Sequence, residues 1–398
     1  MRKTTIVLLL LGASVAAILS CSKKDTGAAA PVATYPAVEA AFGGKINLNA
    51  LANYAAQGKP AYITKDNGVN NPVSDVKATL GRVLFYDKNL SIDNSVACAS
   101  CHKQQFAFGD TAFVSAGVAG GNTGRHSMRL INARFANEVR FFWNERAATL
   151  EQQTTGPIQD HAEMGFSGQN GRPNLAALLV KLQNIAYYKE LFQFAYGDQN
   201  ISEARLQECL AQFVRSIQSF DSKYDAGRAT APNDGAPFAN FTAQENQGKT
   251  LYLQPPQFGA GGQRTGGGLG CGGCHGAPEF DIDPQSRNNG IIATIGSNVI
   301  DVNNTRSPSL RDLMRADGTL NGPMMHTANF RTIQQVLGHY GNITVAPGNT
   351  NLDPRLRPGG SGQQLNLTAA EVNAVTAFLR TLSGTNVYTD TKWSDPFR

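Results

Sequence analysis

The sequence predicts a mainly α protein made of two similar units, and three observations carry that expectation. Apolar residues recur at i, i+3 and i+4 along six stretches: Val73 to Asp87, Leu175 to Tyr196, Ser202 to Phe220, Thr242 to Leu253, Thr332 to Tyr340 and Thr368 to Leu382. Strand-like alternation is sparse, and Gly/Asn/Pro-rich loops separate the helices in a chain with 41 glycines. Each half also repeats one skeleton, a helix followed by a loop and the pentapeptide C-x-x-C-H: Cys98-Ala99-Ser100-Cys101-His102, then Cys271-Gly272-Gly273-Cys274-His275.

At the N-terminus, Arg2-Lys3 precede an apolar run from Ile6 to Leu19 that is short for a bilayer span, the pattern of a signal peptide over residues 1–20. The run ends Ile18-Leu19-Ser20-Cys21, which looks like the lipobox of bacterial lipoproteins, so cleavage before Cys21 and lipidation of its thiol are expected. An ordinary cleavage site is the plainer alternative. Residues 21–36, rich in Ala, Lys, Ser and Pro, read as a flexible tether. Roughly 375 residues then remain, enough for two domains with sizeable cores.

Two of the helical stretches open on capping signals, Ser202-Glu203 and the Thr-x-x-Glu box of Thr368 to Glu371. The helices ahead of the two motifs share a short pattern of glycine, base, spacer, leucine and aromatic: Gly81-Arg82-Val83-Leu84-Phe85 and Gly248-Lys249-Thr250-Leu251-Tyr252. A composition shift from Asp225 to Phe238 reads as the linker, dividing an N-terminal domain (37–228) from a C-terminal one (229–398). Gly259 to Gly270 lacks the G-x-x-x-x-G-K-[ST] string and reads as a flexible lead-in to the second motif, not a phosphate cradle.

In an exported chain, C-x-x-C-H is the signature of covalent c-type haem attachment, with two thioethers from the cysteines and the histidine on the iron. One such string arises by chance on the order of once in a thousand chains of this composition, so two are not accidental. A four-cysteine zinc ribbon wants its pairs roughly 15–20 residues apart, whereas a large part of the protein separates these. A thioredoxin-like dithiol wants a βαβ setting that neither motif has. The motifs therefore imply two cytochrome-c-like units with one haem each. Six cysteines are then accounted for without disulfides: one to lipid, four to haem, and Cys209, in an apolar-periodic stretch, as a buried inert thiol. A net charge of +5 with no dense Lys/Arg block gives no nucleic-acid footprint.

The strings Phe142-Trp143-Asn144-Glu145-Arg146-Ala147, Gly156-Pro157-Ile158 through Glu163-Met164, and Arg306-Ser307-Pro308-Ser309-Leu310-Arg311 with Met325-His326 and Thr332-Ile333 resemble the bacterial di-haem cytochrome c peroxidases, a family that includes the MauG-type enzymes which oxidise tryptophans on a partner protein. The likeness runs from about Leu80 to Arg380. It implies that the haem on His102 reacts with hydrogen peroxide, with Glu163 as the distal acid/base and Gln153 and Pro157 beside it. Trp143 would carry electrons between the haems. His126 would cap the first haem in the resting oxidised state and swing away on a loop from Phe113 to Arg129. The haem on His275 would store and relay electrons supplied by a small cytochrome or cupredoxin.

Family peroxidases place a methionine after the T-x-x-x-V string, and MauG-type members a tyrosine. Here Tyr340 looks in register as sixth ligand of the second haem, with His339, Met324 and Met325 as rivals. His326 matches a family histidine near that haem, without the usual Asp-Gly after it. The resemblance also implies a calcium ion between the domains, held by Asn132 and by carbonyls near Asn321 and Pro323. The expected activity is peroxide reduction in a lipid-anchored periplasmic enzyme. The alternatives are a MauG-like oxidase of protein side chains, favoured by Tyr340, and a plain electron-transfer cytochrome, which Gln153, Pro157 and Glu163 argue against.

Overall fold

Mainly helical structure does follow, and the pattern repeats in two hydrophobic clusters. The computed structural model describes residues 33–136 and 140–398, so the signal peptide, Cys21 and most of the tether lie outside the described residues. The helices are α1 (Pro36–Phe42), α2 (Asp75–Tyr86), α3 (Cys98–Cys101), α4 (Leu150–Gln159), α5 (Leu175–Gln183), α6 (Ala186–Tyr196), α7 (Glu203–Ser216), α8 (Lys223–Arg228), α9 (Ala243–Leu253), α10 (Ile333–Gly341) and α11 (Ala369–Arg380). Among the described residues these are accompanied by short 3-10 turns and two small antiparallel pairs, β1 (Pro256–Phe258) with β2 (Arg264–Gly267) and β3 (His275–Gly276) with β4 (Asp281–Ile282).

The shared Gly-base-x-Leu-aromatic pattern has a packing cause. A Cβ on Gly81 of α2 would lie 2.0 Å from the Cys209 carbonyl oxygen of α7, and one on Gly248 of α9 would lie 1.9 Å from the Ala374 carbonyl oxygen of α11. Only glycine lets either pair of backbones come this close. One turn on, the aromatics match as well: Phe85 meets Phe213 at 5.1 Å between ring centroids, and Tyr252 meets Phe378 at 5.2 Å. α2 against α7 and α9 against α11 are thus the same helix crossing built twice, each the centre of its own cluster.

Several predicted boundaries shift for local reasons. The stretch from Leu175 to Tyr196 breaks into α5 and α6, because Ile185 is extended and the Asn184 side chain caps the Val180 carbonyl. α4 was not legible, since Leu150–Gln159 has few apolar positions and contains Gly156 and Pro157. The Thr368–Glu371 capping box forms as expected, and Cys209 is a buried free thiol pushed up to about 12 by desolvation. The lead-in from Gly259 follows β1 and forms part of a bulged hairpin with β2, not an unstructured arm.

The Asp225–Phe238 segment is not a slack tether. It begins inside α8, capped by Ser222, and Asp225 pairs bidentately with the fully buried Arg311 at 2.9 Å for both bonds. Phe238 is buried, and Lys249 Nζ donates to the carbonyls of Asp234 and Ala236. The C-terminal tail crosses back to the first cluster, where Trp393 is buried and donates to Ser216 Oγ at 3.2 Å.

Candidate functional site

Both C-x-x-C-H motifs line cavities, and their histidines are set up alike. α3 is a single turn carrying Cys98 and Cys101, with His102 at its C-terminus. His102 Nδ1 donates to the Phe108 carbonyl at 3.1 Å, and His275 Nδ1 donates to the Pro308 carbonyl at 3.0 Å. A carbonyl partner fixes the tautomer and leaves each Nε2 for a metal. None of the four cysteines is in a disulfide.

The first cavity, of about 910 Å³, is walled by Cys98, Cys101, His102, Gln153, Pro157 and Glu163, with Trp143 and His126 at one side. The second, of about 840 Å³, is walled by His275, Tyr340, Met324, Met325, His326 and again Trp143 and His126. Cys271 and Cys274 face a continuation of about 610 Å³ that shares His275 and Tyr340. The second cavity is also lined by the half-buried Arg129, whose guanidinium donates to Ser309 O at 2.7 Å while its buried Nε has no partner. A cation with an orphaned buried donor fits an anionic group such as a haem propionate. The residues present therefore fit haem in both places.

Glu163 sits on a tight turn. Asp160 Oδ1 accepts from the backbone of Ala162 and Glu163 at 2.8 and 3.0 Å, and Val118 N donates to the Glu163 carbonyl at 3.1 Å. Gly117 makes that approach possible, since a Cβ there would lie 1.9 Å from the Ala162 oxygen. Desolvation, helped by the nearby Asp160 charge and opposed by Arg146 and Arg125, raises the Glu163 carboxyl to about 7. α4 supplies Gln153 and Pro157 to the same wall.

Trp143 and His126 stand where the two cavities meet. Trp143 Nε1 donates to the His126 carbonyl at 2.7 Å, His126 N donates to the His326 carbonyl at 2.8 Å, and the Trp143 and His326 rings lie 6.0 Å apart. The Trp143 carbonyl accepts from Thr305 N and Arg306 N at 3.0 and 3.1 Å, so both halves hold the indole. The His126 ring is tied at Nδ1 to the Ala112 carbonyl at 3.1 Å, with Nε2 facing Gly322. Burial, with the Arg129 charge, lowers it to about 4. His126 thus braces the junction while lining both cavities. The loop expected to swing is pinned by Arg125, which bonds Asp301 Oδ2 at 2.6 Å and Asn304 Oδ1 at 2.7 Å.

The rivals around Tyr340 separate. Tyr340 walls the second cavity, whereas His339 does not, its Nε2 being spent on the Asn289 carbonyl at 2.9 Å. Burial raises the Tyr340 phenol, against the lowering effect of an Asn289 hydrogen bond. Asn132, the residue expected on a calcium ion, is bonded to the backbone of Ser219. Its Oδ1 accepts from Ser219 N at 2.8 Å and its Nδ2 donates to Ser219 O at 3.1 Å, so its amide is already satisfied by one backbone unit. The Asn321 amide donates instead to the Asp312 carbonyl and the Tyr388 hydroxyl. The buried Asn321 Oδ1 has no hydrogen-bond partner. Arg129, Asn289 and Asp160 were missed in the sequence, where no motif marks them.

Residues 75–231 match the family model for di-haem cytochrome c peroxidase. The methylamine utilization protein MauG of Methylophilus methylotrophus is 28% identical over 79% of this chain and 85% of its own length. The cytochrome-c peroxidase IdrP1 of Denitromonas iodatirespirans is 25% identical over 79% of this chain and 84% of its own. Among solved structures, a MauG-like protein associated with microbial copper homeostasis is 28% identical, with a TM-score of 0.65 covering 85% of this chain and 99% of that one. Residues 75–231 thus carry the di-haem cytochrome c peroxidase model, and over most of its length the chain is similar both to MauG and to cytochrome-c peroxidases, which are oxidoreductases.

Proposed function

We propose that this enzyme reduces hydrogen peroxide to two waters, taking two electrons from a small cytochrome or cupredoxin and two protons from solvent. The observation that carries the reading is Glu163, a half-buried carboxyl raised to about 7 inside the cavity of the first motif. Haem held by thioethers to Cys98 and Cys101 and ligated by His102 would supply the iron chemistry for peroxide cleavage. Glu163 takes the proton from the near oxygen and returns it to the leaving one, a task suited to a group poised near neutral pH. Gln153 and Pro157 shape the space beside it. Trp143, which walls both cavities, is the path by which electrons from the side of Cys271, Cys274 and His275 reach the first.

Two domains, 37–228 and 229–398, each hold one haem in this reading, and Tyr340 is the second haem's sixth ligand. The lipobox-like Ile18 to Cys21 supports export and anchoring by lipid to a bacterial membrane outside the cytoplasm. Peroxide turnover by the reduced di-haem protein with a small cytochrome donor tests the reading; turnover that survives Glu163→Gln unchanged sinks it.

Tyr340 favours a second reading, a MauG-like oxidase of side chains on a partner protein, because a phenolate ligand stabilises higher iron oxidation states. In Tyr340→Phe, an unaltered spectrum of the second haem removes that reading's support.

A further inference from the structure

Two candidate ligands in the second cavity share one hydrogen-bond donor. Asn289 Nδ2 donates to the Tyr340 hydroxyl at 3.1 Å and to Met325 Sδ at 3.2 Å. The orientation of the amide is set independently, because its Oδ1 accepts from Ile291 N at 3.2 Å, which leaves the NH2 end for the phenol and the thioether. The residue itself is held from both sides. His339 Nε2 donates to the Asn289 carbonyl at 2.9 Å. The preceding Asn288, fully buried, exchanges bonds with Asn349 at 2.9 Å and donates to the Val302 carbonyl at 2.9 Å.

We propose that Asn289 selects the sixth ligand of the second haem, oxygen over sulfur. One amide proton orients the phenol oxygen and stabilises it as it gains negative charge. The other engages a sulfur lone pair of Met325 and tethers that side chain. A single amide thus favours the ligand that suits high oxidation states and restrains the one that would raise the reduction potential. Asn289 is a positioning residue, since it acts through Tyr340 and Met325. The inference rests on the reading of Tyr340 as ligand.

The test uses the purified di-haem protein, with the optical and electron paramagnetic resonance spectra and the reduction potential of the second haem as readouts. Asn289→Leu removes the donor, and Asn289→Asp keeps the shape but replaces the NH2 by an acceptor. Both are expected to lose the phenolate-to-iron charge-transfer band. Asn289→Leu is expected to gain the sulfur-to-iron band of a methionine ligand and a higher potential. Asn289→Leu with Met325→Leu is expected to lose that sulfur band again, a result that a merely loosened fold would not give. If Tyr340→Phe changes the wild-type spectrum while both Asn289 variants keep the wild-type spectrum and potential, the role of Asn289 is overturned and that of Tyr340 stands. If Tyr340→Phe changes nothing, both fall together.

Discussion

Glu163 shows how one side chain acquires chemistry from its surroundings. Its type and spacing were readable beside Gly156-Pro157-Ile158, but its protonation was not, because desolvation and the Asp160 charge exist only once the turn is folded. Replacing it with glutamine keeps the shape and removes the proton shuttle, so peroxide turnover should fall by about 10²–10⁴-fold. The unprotonated carboxylate is the form that takes the peroxide proton. The rate with peroxide should therefore rise with pH through about 7 and level off above it, a limb that stopped-flow traces should find missing in Glu163→Gln. The same raised value means that the folded state holds this proton more tightly than the unfolded chain does. Its contribution to stability accordingly declines as pH climbs from the ordinary carboxylate range to about 7.

At the scale of elements, the helix crossings decide where the haem motifs point. α2 leads to Cys98 and α9 to Cys271, and each is fixed by a glycine pressed on a facing carbonyl. Gly81→Ala and Gly248→Ala should each cost at least about 1–3 kcal/mol in denaturant titrations, because the backbones must separate to admit a methyl. Equal costs at the two positions would match a repeated unit; no cost at either would show that the crossings are slack. The shared pattern was visible in the sequence, but its cause was not, since Cys209 and Ala374 lie far along the chain from the glycines they meet. α4 was invisible for a different reason: its sequence has weak helix propensity, and packing against α7 overrides that preference.

Across the whole molecule, the halves are joined by buried polar contacts more than by a tether. Arg311, fully buried, binds Asp225 with both arms and donates to the Pro278 carbonyl at 2.9 Å. Asp225→Ala would strand that guanidinium and should destabilise the fold by about 3–5 kcal/mol, read as a lowered midpoint of thermal or denaturant unfolding. Trp143 spans the same junction, held by His126 on one side and by Thr305 and Arg306 on the other. Trp143→Phe should slow donor-driven turnover much more than the reaction of fully reduced protein with a single equivalent of peroxide. Equal slowing of both would rule out a role between the cavities. The paired C-x-x-C-H strings, the helical periodicity and the lipobox-like leader were legible without a structure, because each is a local pattern whose meaning depends on near neighbours. The expectation of haem attachment and the mainly α class followed from them, and the family resemblance from the strings around Trp143, Glu163 and Arg306. The unequal roles of the two cavities were implied by the resemblance, but the contacts behind that inequality depend on long-range approach: Glu163 desolvated beside His102, Trp143 shared by both walls, Asn132 bonded to Ser219, and Tyr340 meeting Asn289 across 51 positions of chain. Such contacts have no signature in spacing, and folding alone brings them within hydrogen-bond reach.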